Sequence, residues 1–149
     1  MPVRLLLPRQ LYNEMLAQAV VELPNECCGL LAGRMEEQPG TQQAVWRVLR
    51  RYPLVNKAAS PVEYLADDRS LFDAYRDMRK LELAVLAVYH SHPTSEPVPS
   101  RKDRERYYPD LMGEVVHFIV SLRDHEPQVR GWWLSKSGHC DADWQCMDS

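Results

Sequence analysis

The chain has 149 residues, 45% of them hydrophobic and 26% charged, which is the size and balance of an ordinary globular domain able to bury a core without disulfides. Eighteen basic against 21 acidic residues leave a net charge of −3, which offers no electrostatic footprint for a phosphate backbone and argues against a nucleic-acid partner. The longest fully apolar run, Leu83 to Tyr89, is far short of the ~20 residues that cross a bilayer, so no membrane span is expected.

Met1 to Pro8 carries one early charge, a short apolar stretch and no small-residue cleavage site after it, so an unexported, cytoplasmic protein is expected. The cysteines at 27, 28, 140 and 146 match neither a disulfide framework nor the paired spacing of a zinc ribbon, and read as reduced thiols.

Val3 to Leu7 reads as a strand, and Pro8 suits the first turn of a helix in which Leu11, Met15 and Ala19 recur at i, i+4 and i+8. Pro24 should end that helix. The run Cys28-Gly29-Leu30-Leu31-Ala32-Gly33 reads as a buried strand, and Val45 to Arg50 as its partner across the polar stretch 36–43. Irregular chain is expected from Asn56 to Val62, then a helix capped by Asp67 or Asp68, carrying Leu71, Tyr75 and Met78 and ending near Lys80. Leu83 to Tyr89 has no alternation, as expected of a central strand covered on both faces. Val115 to Leu122 and Val129 to Leu134 complete the strands. Residues 1–135 thus form one α/β domain, a mixed sheet flanked by helices, and residues 136–149 a polar, loosely held tail. Strand order is not legible at this level, nor is oligomeric state.

The central strand delivers the chain to His90-Ser91-His92. Residues i and i+2 of a strand project to one side, so both imidazoles can face one ion, and the ten-residue stretch to Asp103 is long enough to double back with a carboxylate. Two imidazoles and a carboxylate are ligands Zn²⁺ accepts, and three protein ligands leave the fourth position open, the layout of a catalytic zinc site. Two plainer readings stand beside this one. His90 and His92 can be half-exposed polar residues at a strand end, and Ser100-Arg101-Lys102-Asp103 is a good helix-capping sequence. Capping and ligation are compatible, because a cap fixes where the Asp103 carboxylate points.

His90-Ser91-His92, seven residues, Ser100, two residues and Asp103 resemble the signature of the JAMM (MPN-plus) zinc metalloproteases. Pro24-Asn25-Glu26-Cys27-Cys28-Gly29-Leu30-Leu31-Ala32-Gly33 is similar to the upstream glutamate motif of the compact prokaryotic members, and a weaker likeness runs through Asn56, Ser60-Pro61 and Tyr64 to Ile119-Val120-Ser121-Leu122. The resemblance covers roughly residues 3 to 135 and implies a cytidine-deaminase-like three-layer sandwich. It also implies that His90, His92 and Asp103 hold Zn²⁺, that Glu26 is the general acid/base for the attacking water, and that Ser100 helps hold the oxyanion. The implied reaction is hydrolysis of a peptide or isopeptide bond after the Gly-Gly tail of a ubiquitin-like or sulfur-carrier β-grasp protein. Asn56 and Tyr64 bound a segment expected to form one wall of the channel for that tail. The rival is a non-catalytic, zinc-loaded binding module of the same fold. A DNA-associated relative is disfavoured by the charge, and zinc deamination by the absence of its His-x-Glu and Pro-Cys-x-x-Cys pattern.

Overall fold

A computed structural model describes residues 2–105, 113–135 and 137–148. In chain order it contains β1 (Val3–Pro8), α1 (Arg9–Val21), β2 (Cys28–Glu37), β3 (Ala44–Leu54), α2 (Asp68–Leu81), β4 (Ala84–His92), α3 (Arg101–Glu105), β5 (Val116–Ser121), β6 (Gln128–Ser135), β7 (Gly138–Asp141) and β8 (Asp143–Met147). The mixed α/β architecture is the one expected. Pro8 closes β1 and stands at the α1 N-cap with extended backbone, one position before the helical turn that the sequence suggested for it. Asp67 caps α2, its carboxylate accepting from the Ser70 N–H at 3.1 Å.

All eight strands share one sheet in the order β7-β6-β5-β4-β2-β3-β1-β8. β1 runs parallel to β3 and β8, and β4 to β5; the other neighbours are antiparallel. The apolar run of β4 lies at the centre and is covered on both faces. Ala87 and Tyr89 join the core under α1 with Met15, Ala19, Leu31 and Phe118. Val88 joins a second core under α2 with Cys28, Leu30, Ala74 and Met78. Tyr89 reaches α1 by lying across Gly29, where any Cβ would overlap its ring, and its hydroxyl donates to Gln18 at 2.5 Å and accepts from Arg51 at 3.0 Å. Among the described residues no helix is long and apolar enough to cross a membrane.

The tail departs from expectation. Instead of hanging loosely, residues 138–147 supply both edge strands. β7 and β8 stand at opposite ends of the strand order yet are joined by Ala142 alone, so the sheet curls until its ends meet. The Ala142 N–H donates to the Gly131 carbonyl at 2.9 Å, and Trp144 stacks on Tyr12 and meets Phe118 edge-on at 5.0 Å. Gly131 permits that approach, since a Cβ there would lie 3.0 Å from the Trp144 ring. The tail was misread because its apolar residues are few and its partner strand begins 139 positions upstream, at the Arg4–Asp143 pair. Trp144→Ala should therefore destabilise the whole protein by about 3 kcal/mol, the low end of the range for a large aromatic because this ring is only partly buried. Urea unfolding measures it, and an unchanged midpoint would mean that the curl is held without the tail.

Candidate metal centre and active site

The β2–β4 register builds one side of the site. Cys28 pairs with His90 and Leu30 with Val88, so extending the antiparallel register by two residues sets Glu26 opposite His92, on the face shared by His90 and His92. β4 therefore presents two imidazoles, and the segment leading into β2 presents a carboxyl beside them. After His92 the chain is tied down at each step of its return. The His92 Nδ1–H donates to the Glu96 carbonyl at 2.8 Å, the Ser121 hydroxyl to Ser95 at 2.6 Å, and the Trp132 indole N–H to Pro97 at 2.9 Å. Ser100 and Asp103 then start α3 as a reciprocal capping box: the Asp103 N–H donates to Ser100 Oγ at 3.1 Å and the Ser100 N–H to Asp103 Oδ2 at 2.8 Å.

That cap delivers Asp103 Oδ2 to 3.2 Å from both His90 Nε2 and His92 Nε2, which are themselves 3.1 Å apart. Both histidines are buried, so the half-exposed reading fails. Two observations favour a cation among these three atoms. A carbonyl only accepts, so its bond to Nδ1 leaves the Nε2 of neutral His92 as a lone pair aimed at the cluster. Tetrahedral ligands about 2.0–2.1 Å from zinc lie about 3.3 Å from one another, close to the observed edges. Asp103 is held well below the usual carboxylate range: burial works against ionisation, but His90, His92 and the Ser100 N–H outweigh it. The residues present thus fit a zinc ion.

Glu26 is 5% exposed, and its Oε1 is buried without a hydrogen-bond partner among the described residues. Burial, with Asp103 and Glu63 nearby, pushes its carboxyl up to about 7, against the opposing influence of His92 and Lys102. In the metal-free chain this carboxyl therefore holds a proton far more readily than a solvated one. Its neighbours Cys27 and Cys28 are pushed up by burial to about 11 and 12, so they are inert thiols that fill the core.

Tyr64 stacks on the His90 ring with centroids 4.8 Å apart, beside the His90, His92 and Asp103 cluster. Asn56 does something different. It is 8% exposed, and its amide is spent on main chain: Nδ2 donates to the Glu26 and Glu63 carbonyls, and Oδ1 accepts from the Ala58 and Leu65 N–H groups. It organises the 56–66 loop from within. Ser100 is exposed at the mouth, its oxygen used in the cap. Two residues went unnoticed in the sequence. Ser91 reads as a spacer between ligands, yet its side chain is bound to the Glu26–Cys27 peptide. His117, on β5 beside Val88, is pushed down to about 3 by burial and by His90. The available signal for it was a polar residue inside an apolar strand.

Residues 8–135 match the family described as prokaryotic homologs of the JAB domain. The chain belongs to that family. Over 131 residues it is 31% identical to the CysO-cysteine peptidase of Mycobacterium tuberculosis, covering 86% of this chain and 81% of the relative. Over 134 residues it is 31% identical to the desampylase of Pyrococcus furiosus, covering 89% and 82%. A probable TtuB-protein conjugate cleaving protease of Thermus thermophilus is 39% identical over 100 residues, covering 66% of this chain and 60% of the relative. A solved structure of a protein from Desulfitobacterium hafniense superposes with a TM-score of 0.80 at 31% identity, covering 99% of this chain and 94% of that one. The JAB match ends at residue 135, whereas the structural likeness extends through the β7–β8 segment.

Proposed function

We propose that this JAB-family chain is a zinc-dependent (iso)peptidase that hydrolyses the bond following the Gly-Gly tail of a ubiquitin-like or sulfur-carrier β-grasp protein. The observation that carries the reading is the convergence of His90, His92 and Asp103 beside a buried Glu26 carboxyl whose Oε1 has no hydrogen-bond partner among the described residues. A binding module needs no such carboxyl, whose burial costs stability. The names of these three relatives, a probable conjugate cleaving protease, a peptidase and a desampylase, support the reaction class.

Zinc held by His90, His92 and Asp103 would lower the pKa of water from about 15.7 to about 7 and polarise the scissile carbonyl. Glu26 accepts a proton from the attacking water and returns it to the departing nitrogen, so the carboxyl ends the cycle in the state in which it began. The Ser100 oxygen already accepts the Asp103 N–H, and its own O–H is left to donate to the oxyanion, a bond worth about 2.7–4 kcal/mol in a preorganised site. The loop from Asn56 to Ala66 forms one wall of the tail channel, with Tyr64 beside His90. Lys102 of α3 reaches Glu63 of that loop at 3.5 Å, which brings the loop and α3 together beside the histidines, where a glycine tail would meet the least steric hindrance. The reading has the protein working in the cytoplasm on a protein tail, with neither nucleic acid nor membrane as partner.

The test uses a folded β-grasp carrier extended beyond its Gly-Gly, with the product mass read by spectrometry. Cleavage should fall immediately after the second glycine, stop when zinc is chelated, and slow by about 10–200-fold when that glycine is replaced by valine, the range for a misfit of one or a few methyl groups. Equal cleavage of the valine variant, or of an unstructured peptide lacking the carrier, would make the protein a general peptidase.

A further inference from the structure

The carboxyl of Glu26 has no bond holding Oε1, so its position is set through its backbone. That backbone lies in neither α1 nor β2. It is pinned from three directions. The Glu26 N–H donates to the Ser60 carbonyl at 2.9 Å. The peptide group joining Glu26 to Cys27 is gripped at both ends: its carbonyl accepts from Asn56 Nδ2 at 3.0 Å, and its N–H donates to Ser91 Oγ at 2.7 Å. The plane of that peptide and the Glu26 N–H together fix both backbone torsions of Glu26, and with them the direction of its Cα–Cβ bond.

The Ser91 contact is unusual for its place in the ladder. Extension of the β2–β4 register pairs Cys27 with Ser91, and the Ser91 N–H does donate to the Cys27 carbonyl at 3.1 Å. In a regular antiparallel pair the return bond runs from the Cys27 N–H to the Ser91 carbonyl. Here it goes to the side chain. Ser91 is fully buried and stands between His90 and His92, so one hydroxyl links the strand carrying both imidazoles to the peptide carrying the carboxyl.

We propose that Ser91 is a positioning residue whose hydroxyl sets the place of the Glu26 carboxyl relative to His90 and His92, with Asn56 holding the other end of the same peptide. The inference rests on the peptidase reading above. Misplacement by about 1 Å in such a site can cost about 100-fold in rate, so loss of the tie is an effect on turnover more than on binding.

The experiment uses the zinc-loaded full chain and the carrier conjugate. Ser91→Ala should lower kcat by about 10–100-fold, leave KM within about twofold and retain zinc; Ser91→Thr, which keeps the oxygen, should recover most of the loss. In the Glu26→Gln background Ser91→Ala should cost less than about threefold, because it acts through the group already removed. The same factor in both backgrounds, or a loss carried by KM or zinc content, overturns the proposal.

Amide hydrogen exchange supplies a readout independent of activity. Ser91→Ala should speed exchange at Cys27 at least about tenfold while leaving Leu30 and Leu31 unchanged, and unchanged exchange at Cys27 also overturns the proposal. A wild type that fails to cleave the conjugate, or a Glu26→Gln variant that matches it, refutes the functional reading instead, and the exchange result still decides the tie.

Discussion

Replacement of His92 by alanine should abolish metal binding and activity together. Its Nε2 is one of three atoms within 3.2 Å of one another, and two donors cannot hold zinc against competing water as three do. Purified wild type should carry about one zinc per chain and His92→Ala close to none, with peptidase activity reduced by more than about 1,000-fold. Zinc should also raise the unfolding temperature of the wild type and leave that of the variant unmoved, since a ligand stabilises only the state that binds it. Undiminished zinc in the variant would move the site elsewhere. The cysteines at 27 and 28 are poor candidates for it, because burial keeps their thiols protonated.

Glu26→Gln should separate chemistry from metal. The amide keeps the shape of the carboxyl but cannot take a proton, so activity should fall by about 10²–10⁴-fold with zinc retained. It should also change stability in a pH-dependent way. In the folded metal-free protein burial pushes the carboxyl up to about 7 from its ordinary value of 4.5, so its contribution favours folding fully below 4.5 and is lost as pH rises through 7. At pH 8 the wild type must therefore bury a charge that the glutamine variant lacks. Each pKa unit corresponds to about 1.4 kcal/mol, so the metal-free variant should be more stable by about 1–3 kcal/mol at pH 8, with the two proteins converging at pH 4. A variant less stable than wild type at pH 8 would mean that the carboxylate is solvated in place.

The His90, His92 and Asp103 cluster was legible because its logic is local: two residues on one strand face, then a short return ending in a self-contained cap. Glu26 was legible only through its resemblance motif. Its role depends on the β2–β4 register, which brings together residues more than sixty positions apart and leaves no periodicity in the sequence. Asn56 was read as part of a channel wall, whereas its amide is bound to main chain, within its own loop and at Glu26. A sequence cannot tell whether a buried-capable amide faces a ligand or its own main chain. The helices and inner strands followed from apolar spacing and caps. The tail did not, because its order comes from pairing with residues at the other end of the chain.

That pairing bears on how the protein is made. Once β3 has been made it can take one edge of β1, but the other edge belongs to β8. At about 5–20 residues per second, synthesis of the 139 residues separating Arg4 from Asp143 takes about 7–28 s, during which the outer edge of β1 stays open. Nascent or truncated chains ending before residue 143 should accordingly be the species that chaperones hold and that associate edge to edge, while chains that include β8 seal their own seam.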